Sequence, residues 1–185
     1  MEANDALVIS HAVVSVAAGV AFRPRNVPNH FWFLSFICST IPDLDSIAFS
    51  LGIPYSHFFG HRGFFHSPFF GLLLGLFCVS VFFRGAELFS RGWFFCLIFF
   101  LSLTASHGLL DALTNAGLGV ALWSPFDQTR YFLPWRPIVV SPIGVAPFFS
   151  RWGLAVIKSE LLWVWLPCFI MVIVSAVIRR LPARY

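Results

Sequence analysis

The sequence predicts an all-α integral membrane protein of about five transmembrane helices, with its polar residues clustered near one membrane face. Three observations carry this. Hydrophobic residues make up 58% of the 185-residue chain, charged residues 11%, and mean hydropathy is +0.83, whereas a soluble domain carries ~25% charged residues. The apolar residues fall in runs at about 6–22, 31–50, 64–83, 93–114 and 160–178, each closed by charge, Pro or Gly. The ionisable residues that interrupt these runs recur at similar depths. A chain of this length holds one membrane-embedded domain, 1–185, with no room for a second.

The first run is mild and rich in small residues (Ala12, Ala17, Ala18, Gly19), which suits packing against protein more than against lipid. Glu2 and Asp5 stand where a basic leader would need Lys or Arg, so the run is expected to remain in the mature chain. The second run is broken at Pro42-Asp43-Leu44-Asp45, where proline frees a carbonyl and two carboxylates lie at membrane depth. The connection at about 116–159 is long and rich in Pro, Trp and Arg, as an interfacial cap would be. Cys38, Cys78, Cys96 and Cys168 stand singly in apolar runs, without the spacing of a disulfide framework or a thiolate metal site. The net charge of +4 comes from arginines at segment ends and forms no basic stripe, so no nucleic-acid partner is expected.

Threading these runs through a bilayer places the N-terminus, the 51–63 loop and the long connection on one side, A. Side B receives Arg23, Arg25, Arg84, Arg91, Arg179, Arg180 and Arg184. Arg62, Arg130, Arg136, Arg151 and Lys158 fall on A, most of them in the long loop, which counts less for orientation. Side B is therefore expected to be cytoplasmic, with the N-terminus outside. Side A holds seven of the eight acidic residues and five of the six histidines, all but His30.

A rise of about 1.5 Å per residue sets His11 and His107 roughly 9 Å below side A, Asp43 roughly 12 Å and Asp111 roughly 3 Å, with Asp45 closer to the surface than Asp43 and His66 at the side A end of its run. Each ion held alone in lipid would cost ~2.5–3.5 kcal/mol, so several at one depth imply mutual pairing or a shared cation. His107 and Asp111 lie at i, i+4 on one helix face and can bind one ion together, and Asn115 extends that face by a turn. His61-Arg62-Gly63-Phe64-Phe65-His66 puts two histidines, both candidate metal ligands, at a loop-to-helix junction, where Gly63 permits a tight turn and Arg62 can grip a phosphate. Asp43 or Asp45 can act as base while the other binds metal or orients a histidine. His11 reads equally as a packing residue or as a ligand. Glu160, at the start of the last run, reads as a helix N-terminal charge or a further ligand. His30 and His57 read as interfacial. Imidazole with carboxylate suits a divalent metal, zinc first, with manganese or iron as alternatives.

At these residues the chain resembles the YdjM-like membrane-bound metal-dependent hydrolases. The resemblance rests on His11, Ile41-Pro42-Asp43-Leu44-Asp45, His61-Arg62-Gly63 with His66-Ser67, and Ser106-His107-Gly108-Leu109-Leu110-Asp111. In order, these residues are also distantly similar to zinc-dependent phospholipases C and single-strand nucleases. That likeness implies that His11, His66, His107 and Asp111 are ligands, with Asp43 or Asp45 as ligand or base. No second His-x-x-x-Glu helix follows Asp111, and only Glu160 could stand in.

The expected function is therefore a metal-dependent hydrolase of the inner membrane. It would cleave a phosphoester in a membrane lipid or other amphiphile at the extracytoplasmic face, with Arg62, Arg130 and Arg136 neutralising phosphate oxygens. A metal or proton transporter or channel is the rival reading, and the almost wholly apolar B-side halves of the runs argue against it. A non-catalytic scaffold locked by its polar cluster is a third. Nothing in the sequence fixes the oligomeric state.

Overall fold

The structure is a computed structural model that describes residues 8–23, 27–141 and 149–180; Glu2, Asp5, Arg25 and Arg184 lie outside them. Among these residues every regular element is helical, and only two isolated bridges, Thr114 with Ile138 and Val120 with Tyr131, have β character. Helix α1 is Val8–Phe22, α2 His30–Thr40, α3 Ile47–Ser50, α4 Pro68–Phe82, α5 Arg91–Ala112, α6 Arg151–Glu160 and α7 Leu166–Arg180. A 3-10 segment, Ile41–Ser46, joins α2 to α3, and a π-helical turn, Leu161–Trp165, joins α6 to α7.

Local chemistry sets the ends. Ser67 and Ser90 accept hydrogen bonds from Phe70 N and Trp93 N and so cap α4 and α5, with Pro68 in the first turn of α4, where a missing N–H costs nothing. Helix α4 packs on α5 through Gly71 and Gly75, whose bare backbones let Leu101 O and Leu97 O approach; a Cβ at either glycine would stand 3.1 Å from that oxygen. The interior below is apolar, with Phe31, Phe100 and Leu103 buried where α2, α4 and α5 meet.

Among the described residues two helical stretches are long and apolar enough to cross a membrane, Arg91–Ala112 with 22 residues and Arg151–Arg180 with 30. Only 6% of the apolar window of the second is buried. Its outward face carries Phe169, Ile170, Val174 and Ile178 uncovered, a surface that hydrocarbon tolerates and water does not. Helices α1 and α4 are apolar but have 15 residues each, roughly 22 Å of a hydrocarbon core ~30 Å thick.

The structure corrects three expectations. The long connection ends at Ser150, not 159, because Ser150 caps Trp152 N and α6 starts at Arg151. Glu160 consequently lies inside a continuous helical stretch, at the π turn, and cannot serve as an N-terminal charge. Asn115 is beyond the end of α5 at Ala112 and does not extend its face; its N–H donates to Ile138 O and its Oδ1 accepts from Val140 N.

Candidate metal centre

The break at Pro42 supplies the first two anchors of the site. Proline has no N–H to give the carbonyl four residues back, Cys38 O, and the Thr104 hydroxyl of α5 donates to that oxygen instead, at 2.9 Å. The next carbonyl, Ser39 O, takes His107 Nδ1–H at 2.8 Å. The broken helix thus binds α5 through its exposed backbone, and the second bond fixes the His107 tautomer. With Nδ1 committed to Ser39 O, Nε2 is the ring nitrogen left for the site, and it lies within hydrogen-bond distance of Asp43 Oδ1 at 3.1 Å and 3.6 Å from Asp111 Oδ2.

His66 closes the other side. Its Nδ1 lies 2.9 Å from Asp45 Oδ2 and its Nε2 3.2 Å from Asp111 Oδ2, yet neither nitrogen has hydrogen-bond geometry. Gly108 allows this proximity, since a Cβ there would meet His66 O at 2.1 Å. Gly63 has an ordinary φ of −86° and serves by size instead, with Phe58 O 2.4 Å from where its Cβ would be. The left-handed residue of this turn is Arg62, at φ 57°.

One ligand atom from each of Asp43, His66, His107 and Asp111 lies within 4.8 Å of the others. This donor set fits a divalent cation. Lone pairs of imidazole and oxygens of carboxylate face one another across a gap, and Asp43 Oδ2 is buried with no hydrogen-bond partner among the described residues. Charge agrees: Asp43, Asp45 and Asp111 exceed the Arg62 guanidinium by two negative charges when the imidazoles are neutral, which a divalent cation balances. His66, His107 and Asp111 side chains are fully buried, whereas Asp43 retains 15% exposure and is the member of the set that reaches the outside.

The other expected residues surround this set. Asp45 is buried and fully engaged: Oδ1 meets His61 Nδ1 at 2.7 Å, and Oδ2 accepts from Arg62 N at 3.1 Å besides facing His66. The His11 ring stacks on His107 at 3.7 Å between centroids, and its Nε2 is 3.9 Å from Asp111 Oδ1. Arg62 is fully buried, with Nε 3.6 Å from Asp111 Oδ2 and Nη1 donating to Ala116 O. Glu160 is buried and accepts from the Ser10 hydroxyl, which in turn accepts from Trp165 Nε1 at 2.8 Å. Arg130 holds the 55–61 loop by donating to His61 O at 2.7 Å and to Tyr55 O, and its guanidinium lies over the Tyr55 ring. Arg136 is exposed, with its guanidinium over the Phe132 ring, and no contact joins it to the four-residue set among the described residues. His30 and His57 are exposed and away from the centre.

The long connection caps this loop: Ala121 N donates to Arg62 O at 3.0 Å and the Tyr55 hydroxyl to Gly119 O at 3.4 Å. On its outer surface the Tyr131 hydroxyl donates to Asp127, which holds that carboxyl below its usual range and pushes the Tyr131 phenol up. Sequence reasoning missed the Ser39 carbonyl, Thr104, Ser10 and Trp165. The freed carbonyls could have been read from Pro42; nothing in the pattern pointed to Ser10 or Trp165.

The chain has been compared with known proteins. The profile of a family described as YdjM inner membrane protein matches residues 7–182. Inner membrane protein YbcI of Escherichia coli (strain K12) is 38% identical over 160 residues, covering 86% of this chain and 91% of the relative. No solved structure matches.

Proposed function

The chain belongs to the YdjM inner membrane protein family, and from the centre it carries we propose a metal-dependent hydrolase that cleaves a phosphoester in a lipid or other amphiphile. The observation that supports this best is the convergence of Asp43, His66 and the His107/Asp111 pair from three separate segments, with Asp43 alone of the set opening outward. A closed structural site would have no such access. These four residues would hold the ion, with zinc favoured by the donor types and manganese or iron next. A divalent cation there would supply Lewis acidity toward a phosphoryl oxygen and toward water.

The protein's own groups divide the remaining work. Asp43, at the opening, is placed to accept a proton from water. Asp45 is a positioning residue that orients His61 and His66 from behind. Arg62 pairs with Asp111 in the interior and would meet phosphate oxygens beside it. Arg130 holds the loop that carries His61 and Arg62, and the exposed Arg136 would meet an incoming phosphate.

Five membrane passes with the site extracytoplasmic complete the proposal. The short α2 is compatible with a pass because its 3-10 continuation carries Asp43 and Asp45 into the protein interior, where irregular backbone is tolerated at membrane depth. The test is elemental analysis of protein purified in detergent, followed by assays with soluble phosphodiesters, phospholipids and prenyl phosphates. Stoichiometric metal and phosphoester cleavage abolished by chelation are the expected results. Protein that binds no metal and keeps its fold would favour the scaffold reading.

A further inference from the structure

The structure assigns a second part to this site: we propose that the apolar groove between α1, α5 and α7 seats one acyl chain of a membrane phospholipid whose head lies at the His/Asp centre. The lipid head depends on the phosphoester reading; the seat does not. The groove has a volume of about 410 Å³. Val14, Ala18 and Phe22 form one wall and Phe95, Ser102 and Ser106 another, with Met171 of α7 closing the side.

Both walls are single helical stripes that run into the polar centre. On α1 the stripe at 22, 18 and 14 continues to His11, roughly 4.5 Å further along the axis, and on α5 Leu103, which also lines the groove, lies one turn before His107 on the same face. The rings of His11 and His107 stack across this end. From Phe22 to His11 is roughly 16 Å and from Phe95 to His107 roughly 18 Å, the reach of one extended chain. Hydrocarbon is not held here by hydrophobic preference, because lipid tails are as apolar as the groove. A chain fills it because water is excluded at that depth and a void would forfeit contacts on every side. Continuity with the ligands makes it a seat.

A comparable groove of about 450 Å³ on the other side of α1, lined by Val13, Val16 and Phe169, provides the control, because it does not touch α5. The experiment uses the full chain in nanodiscs containing a phospholipid with a photoactivatable diazirine in its acyl chain, with adducts mapped by mass spectrometry. Adducts should concentrate on the Val14 and Ser102 stripes. They should fall several-fold in Ser102→Trp and in Val14→Trp, which fill the groove, but not in Val16→Trp.

Adducts spread evenly over outward residues such as Phe169, or unchanged by both groove substitutions, would overturn the seat. So would cross-links between two copies through this face in place of lipid adducts. Activity gives a separate readout: Ser102→Trp should slow cleavage of the long-chain phospholipid several-fold and leave a soluble diester unaffected. Wild-type protein that cleaves neither would end the hydrolase reading, while the labelling pattern would still decide the groove.

Discussion

Asp111 is the residue on which the centre turns, because its Oδ2 faces His66, His107 and Arg62 together. Asp111→Asn keeps the shape but removes the charge and leaves the buried guanidinium of Arg62 against a neutral amide. Bound metal should drop to near zero while far-UV circular dichroism stays helical; full stoichiometry in this variant would refute the ligand assignment. Asp45 and Asp43 should separate. Asp45→Asn disturbs a group behind the ligands and is expected to weaken metal binding by ~10–100-fold without abolishing it. Asp43→Asn changes a ligand oxygen as well as the group at the opening, so it is expected to weaken metal binding too and, at saturating metal, to slow phosphoester turnover by ~10²–10⁴-fold. Metal titration and turnover, measured side by side, check both. The His107/Asp111 pair was legible because i, i+4 spacing is a local rule, and proline with two carboxylates at membrane depth flagged Asp43 and Asp45. The division between Asp43 and Asp45 was not legible, since it depends on His61, 16 residues from Asp45, and on which carboxylate faces outward. The two roles seen for Arg62, pairing with Asp111 and bonding Ala116 O, depend equally on distant partners.

The elements carry the centre by letting backbones approach, and Gly108 tests that claim. Alanine is the better helix former by ~1 kcal/mol, so a solvated glycine in α5 replaced by alanine should stabilise. Gly108→Ala should do the reverse, because the new Cβ would meet backbone, His66 O, 2.1 Å away, and the histidine must move with it. Loss of bound metal with a lower melting temperature is expected, whereas Gly92→Ala, with only Ser90 Oγ at 3.9 Å, should bind metal as the parent does. Metal bound normally by Gly108→Ala would show that the His66 turn is not fixed by this contact. Hydropathy found the apolar cores of the helices and the Pro42 break, because both are local in the chain. It placed the last helix start nine residues late because α6 mixes Arg151, Lys158 and Glu160 with a buried stripe of Gly153 and Val156, so its average is not apolar. Helical periodicity and the Ser150 cap mark that start.

At the scale of the whole molecule, the site and the arginine clusters occupy opposite ends of the bundle. Arg179 near the end of α7 donates to Ala21 O at 2.7 Å and to Arg23 O, so the last turns of α1 and α7 lie side by side and gather Arg23, Arg179 and Arg180 at one face. The centre lies at the other end, beneath the cap and beside the exposed aromatic residues Trp123, Phe126 and Trp135, which suit the membrane interface. The gathering of polar residues on one side was legible by threading alone, because each pass reverses direction. The fit of the cap on the His61-Arg62 loop was not, as it rests on bonds to the loop's carbonyls from the Ala121 N–H and the Arg130 guanidinium that no hydropathy pattern encodes. Arginines flanking short connections resist translocation, so the arginine face is expected to be cytoplasmic and the centre extracytoplasmic. Fusions after Tyr185 should therefore give fluorescent green fluorescent protein and inactive alkaline phosphatase, and an N-terminal tag should be open to protease added outside spheroplasts. Changing Arg179 and Arg180 to Glu should weaken this bias and send part of the population through with the C-terminus outside. Active phosphatase at the unaltered C-terminus would invert the molecule, and the phosphoester would then have to be presented from the cytoplasmic leaflet.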